Sequence, residues 1–125
     1  MDISITDYRV RIVVVNPQGR FDAFSAPAAR EQLDTLFGEG VVNFVINLSE
    51  TLFMDSAGMA VLVSLLKRAR QGGGDVKLIW PEKEAVRRTL RLTRFDRVFE
   101  MADTVEAAIE SFRITVQNLK AGLTY

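Results

Sequence analysis

The sequence contains no cysteine and no histidine among its 125 residues. Without cysteine there are no disulfides and no thiol chemistry. Without histidine as well, an ordinary zinc site, a Ser–His or Cys–His nucleophile and imidazole acid–base catalysis are all excluded. An excess of charge of either sign is also missing. Sixteen basic residues balance sixteen acidic ones, so no bulk field recruits nucleic acid or an anionic membrane. Long apolar runs are absent too. The longest near-apolar stretch, Met59 to Leu66, is interrupted by Ser64 and falls well short of the ~20 residues of a membrane span. The first ten residues, MDISITDYRV, lack the basic-then-apolar order of a secretory signal. Neither a G-x-x-x-x-G-K-[ST] phosphate loop nor a G-x-G-x-x-G turn is present. These absences predict a cytoplasmic, non-enzymatic protein that holds no cofactor or metal and acts by recognition.

What is present is 48% hydrophobic residues in a chain long enough for one domain to bury a core without staples. Ile3 and Ile5 alternate with polar residues, which predicts a short first strand, and Val10 to Val15 is a β-branched second one. Gly19 to Asp22 leads into a helix with Ser25 at its N-cap and Pro27 in its first turn. Val41 to Leu48 is nearly continuously apolar, as a strand covered on both faces must be. A loop is expected from Ser49 to Met54, then a helix that Gly72 to Gly74 ends. Val76 to Trp80 reads as a strand, Glu82 to Leu92 as a helix, and Val98 to Met101 as a short last strand. Thr104 caps a final helix whose apolar positions Val105, Ala108, Ile109, Phe112, Val116 and Leu119 keep helical spacing. A stripe so close to a terminus packs either on the domain or on a second chain, which makes this helix a candidate homodimer contact. Strands alternating with helices after a hairpin predict an α/β fold. The expected form is a mixed four- to five-stranded sheet with about four helices, over residues 1–112, followed by an extension, 113–125, that continues the last helix.

The stretch from Phe53 to Arg70, FMDSAGMAVLVSLLKRAR, carries the most information. Asp55 and Ser56 stand where an apolar segment turns into a strongly periodic helix. Their side-chain oxygens can accept from the free N–H groups of a first helical turn, so capping alone explains the pair. The sharper reading is a hydroxyl at Ser56 presented to a partner. At ~100° per residue, Met59, Leu62, Leu66 and Ala69 form one stripe, with Val61 and Val63 at its two rims. The rim residues fit either core edge or partner surface. Asp22 fits either a turn residue bonding its own backbone or a polar group beside the Ser56 site. Arg87, Arg88 and Arg91 suit the C-terminal end of a helix dipole.

Several segments together resemble the STAS domain family, named for sulfate transporters and anti-sigma factor antagonists. They are Gly19-Arg20-Phe21-Asp22-Ala23, Ile46-Asn47-Leu48-Ser49, Phe53-Met54-Asp55-Ser56-Ala57-Gly58-Met59, Lys67-Arg68-Ala69-Arg70 with the glycine run, and Leu92-Thr93-Arg94-Phe95-Asp96. The resemblance spans about residues 2–112. Departures are Met59 where Leu is common, Asn47 where Asp is frequent and Arg94 where Gly is usual. The resemblance implies a mixed sheet covered by helices, with no catalysis of its own. In the antagonist branch, the serine after the Asp is phosphorylated by a partner that is both anti-sigma factor and serine kinase. The unphosphorylated form binds that partner and releases the sigma factor. Carried over, Ser56 is the phosphoacceptor and Asp55 its neighbour, with Asp22 on the adjacent loop. Gly58, Met59, Val61 and Val63 complete the expected partner-binding set, and a phosphatase is a second candidate partner. The alternative is a stand-alone STAS docking subunit of a membrane transport system, for lipid or anion, in which Ser56 is merely a cap.

Overall fold

The computed structural model describes residues 2–4 and 11–120, with side chains as far as Arg113. Four strands form a parallel sheet in the order β1 (Ile12–Val15), β3 (Asn43–Asn47), β5 (Asp75–Ile79), β6 (Glu100–Ala102). Parallel strands need covered faces, and the two central ones are buried on both. Phe44, Ile46, Val76 and Leu78 point to one side; Val45 and Ile79 point to the other. The first side is covered by α1 (Ala26–Gly38), α2 (Ser56–Gln71) and α3 (Glu84–Leu92), with the single turn α4 (Phe95–Val98) beside them. The second side is covered by α5 (Val105–Lys120). Val105, Ala108, Ile109 and Phe112 pack there, so the first turns of the terminal stripe belong to the domain itself. Val116 and Leu119 lie outside the described side chains.

All pairings among the described residues are parallel. The strand expected at Ile3 and Ile5 falls partly outside them, and residues 2–4 carry no strand structure. Three short elements were not foreseen, one of them the turn α4, which takes up Val98, expected as the start of the last strand. Gly19–Phe21 forms β2 and Thr51–Met54 forms β4, and the two pair in parallel as a separate ribbon. Thr51 is fully buried there and its hydroxyl donates to the Pro17 carbonyl at 2.7 Å. The remaining boundaries shift by about two residues, within the usual spread of helix and strand ends.

Packing explains the glycine run after α2. A side chain at Gly74 would place its Cβ 1.9 Å from the Val42 carbonyl oxygen, so the turn can approach β3 only without one. Arg94 presents the opposite case, a non-glycine residue held left-handed at φ 62°, ψ 24°. No described helix is long and apolar enough to cross a membrane.

Candidate functional site

Asp55 is the N-cap of α2, in extended conformation at φ −109°, ψ −173°. Its Oδ1 accepts from the backbone N–H of Ala57 at 2.9 Å and of Gly58 at 3.1 Å. Its Oδ2 accepts from the N–H of Ala23 at 3.2 Å, so one carboxylate ties the loop after β2 to the start of α2. The backbone completes the seam, because Asp55 N–H donates to the Phe21 carbonyl at 3.4 Å. The capping expected of the Asp–Ser pair is therefore carried by Asp55 alone. Ser56 occupies the first helical position and is exposed, and its hydroxyl makes no hydrogen bond among the described residues.

Asp22 is a buried turn residue, 7% exposed. Its Oδ1 accepts from the N–H of Phe24 at 3.1 Å and of Ser25 at 3.2 Å, while Oδ2 accepts from Arg20 Nε at 3.0 Å. Its own N–H donates to Ser25 Oγ at 2.9 Å. Ser25 stands at the N-cap position of α1, but its side chain bonds this turn instead of capping the helix. The hydrogen bond from Arg20 holds the Asp22 carboxyl below the ordinary carboxylate range; burial pulls the other way, and the Ser25 and Phe24 N–H bonds add to the lowering.

Three of the expected partner-binding residues are buried in this geometry. Asp22 has both carboxylate oxygens bonded within its own loop, to the Phe24 and Ser25 N–H groups and to Arg20, so it shapes that loop. Gly58 is buried, and a Cβ there would lie 2.3 Å from the Phe21 carbonyl oxygen, so it is the contact point of α2 with β2. Val61 is 2% exposed and faces α1 beside Leu33 and Phe37, which places it in the core. Val63, at the other rim, is 45% exposed, and Met59 is half-buried. Of the expected set, Ser56 and Val63 are exposed and Asp55 and Met59 are partly so.

Sequence reasoning missed other residues of this surface. Phe24 is 96% exposed on the loop that Asp55 holds through Ala23. Leu52 and Phe53 of β4 are also exposed, and the Arg20 guanidinium lies 4.2 Å above the Phe53 ring. Phe24 had a readable signal. An aromatic residue between Asp22 and Ser25 sits in a turn where polar residues are favoured, outside any apolar periodicity.

Fold and site together define a small α/β domain that presents a serine on the first turn of a helix. The chain belongs to the STAS domain family, whose model matches residues 5–108. A Thermotoga maritima protein described as a candidate anti-sigma factor antagonist is 29% identical over 103 residues, covering 82% of this chain and 90% of that protein. The anti-sigma-B factor antagonist of Bacillus subtilis is 38% identical over 66 residues, 53% of this chain and 60% of its own length. The crystal structure of a candidate anti-sigma factor antagonist from Thermotoga maritima superposes with a TM-score of 0.77 at 28% identity, covering 86% of this chain and 93% of that one.

Proposed function

We propose that this chain is an anti-sigma factor antagonist that works by partner switching. Its unphosphorylated form binds an anti-sigma factor that is also a serine kinase, and phosphorylation of Ser56 ends the binding. The observation that carries this reading is the exposed hydroxyl of Ser56, which makes no hydrogen bond among the described residues, on a helix start held by the Asp55 cap. The relatives described as anti-sigma factor antagonists support the choice of partner.

The physical chemistry of the switch follows from the same geometry. A phosphate adds roughly 1.5 to 2 negative charges. The N-terminus of α2 tolerates them, because the helix dipole faces them. The Ala57 and Gly58 N–H groups, however, are already held by Asp55, so the phosphate lies against a second anion. A partner that covers the neutral hydroxyl together with Phe24 and Val63 would then have to desolvate both charges. Binding falls while the fold survives. A phosphatase that removes the group would reset the system.

The test is incubation with ATP and the anti-sigma factor kinase of the same genome, followed by intact-mass measurement and peptide mapping. One phosphate on Ser56, absent from Ser56→Ala, is the expected result. Co-purification with a transporter ATPase, with no phosphate added by any such kinase, would instead establish the docking-subunit alternative.

A further inference from the structure

The face of α2 that presents Ser56 continues well beyond it. Steps of three and four residues return to one side of a helix of ~3.6 residues per turn. Ser56, Ala60, Val63, Lys67 and Arg70 therefore form a single row, and all five are exposed. At ~1.5 Å per residue the row is about 21 Å long. Its chemistry changes along its length, from a hydroxyl through a small apolar patch to two cations.

The far end is built differently from the near end. Arg70 Nε donates to Asp75 Oδ1 at 3.2 Å and its Nη2 donates to the Val98 carbonyl at 3.3 Å, which ties the end of α2 to the end of α4. Lys67, by contrast, makes no ion pair among the described residues. Val63, Leu66, Lys67, Arg70 and Gln71 line an open concavity of about 490 Å³. Val98, 47% exposed, adds apolar surface next to the Arg70 tether.

We propose that this concavity is a distal docking site for the kinase, and that its occupant is an acidic segment of that partner. The segment sets an apolar side chain on Val63 and a carboxylate against Lys67. The proposal rests on the reading of Ser56 as phosphoacceptor, because the row makes one continuous track from that hydroxyl. Charge complementarity selects the occupant: an apolar floor rimmed by the Lys67 ammonium, which has no ion pair among the described residues, favours an acidic, partly apolar segment, whereas the Arg70 charge is already offset by Asp75. Lys67 lies about 16 Å along the helix from Ser56, roughly twice the screening length at physiological salt. It therefore acts on encounter and affinity, not on phosphoryl transfer.

The test compares steady-state phosphorylation of wild type, Lys67→Gln and Lys67→Glu by the purified anti-sigma factor kinase of the same genome, at low and at high salt. The expected result is a KM raised about tenfold in Lys67→Glu and less in Lys67→Gln, with kcat unchanged and the differences shrinking at high salt. A KM equal to wild type at low salt, with Ser56 still phosphorylated, overturns the docking site and leaves the phosphoacceptor reading intact. A kcat that falls with KM unchanged also overturns it. If Lys67→Glu instead alters the sedimentation of the chain alone, the concavity belongs to a second copy and the proposal fails. A wild-type chain that takes no phosphate at Ser56 overturns both readings together.

Discussion

Two helices on the same side of the sheet begin from an aspartate, and the two starts behave differently. Before α1, Asp22 is buried, bonded to two backbone N–H groups and paired with Arg20, and Ser25 beside it is drawn into the same turn. Before α2, Asp55 also bonds backbone N–H groups, but the serine that follows it is exposed and makes no hydrogen bond among the described residues. The first start spends every polar group on its own loop. The second leaves one hydroxyl over. A serine can serve as a switch only if modifying it does not dismantle the turn that holds it, and the α2 start meets that condition.

Substitutions at the two starts should differ in their cost. Gly58→Ala should cost the most, about 2–3 kcal/mol, because its Cβ would meet the Phe21 backbone and the seam between α2 and β2 would have to open. Chemical denaturation checks this, and an unchanged midpoint would show that the seam is looser than described. Asp55→Ala should cost about 1–2 kcal/mol through loss of the cap and of the tie to Ala23. Asp55→Asn, whose amide oxygen can still accept from Ala57 and Gly58 but whose NH2 group cannot accept from Ala23, should recover the capping part of that loss and not the tie between the loops.

At the other start, Asp22→Asn keeps the acceptor for Phe24 and Ser25 and loses the charge that pairs with Arg20, so a smaller loss of melting temperature is expected at neutral pH. The sign of its pH dependence is fixed. A carboxyl whose folded pKa is lowered stabilises the fold above the unfolded value of about 3.8, and that contribution is lost as pH falls through the lower folded value. The gap between wild type and Asp22→Asn should therefore close below about pH 4. A third helix start supplies the smallest effect. Arg94, left-handed before α4, should give way to glycine with a gain of about 0.5–1 kcal/mol, the relief of strain being partly offset by a freer unfolded chain. Thermal melts of Arg94→Gly measure it.

Much of this was legible in the sequence, and what was not has a physical reason. The central strand showed itself as an apolar run and α2 by its period, since both patterns are long enough to carry a signal. The β2–β4 ribbon did not. Each strand has three or four residues, and its partner lies about thirty positions away. The two rims of α2 looked alike by angle, and only the position of α1 decides that Val61 is covered and Val63 is not. Lys77 is 3% exposed in the middle of β5, with Glu100 at 3.1 Å, Ser111 bonded to its ammonium and the Phe112 ring 4.2 Å away. Those partners come from β6 and α5, so no local reading of the strand could have justified burying a lysine. At the site, the Asp–Ser pair was visible as a motif, but the division of labour between a capping Asp55 and a free Ser56 required coordinates.

On the proposed function, Ser56 is the one group at these two starts whose modification changes binding without changing the fold. The most direct measurement compares the chain before and after kinase treatment, recording affinity for the anti-sigma factor and melting temperature on the same samples. At least a hundredfold loss of affinity, about 2.7 kcal/mol, is expected, with the melting temperature nearly unmoved. Equal affinity of the two forms would contradict it, and so would a loss of affinity that simply follows unfolding.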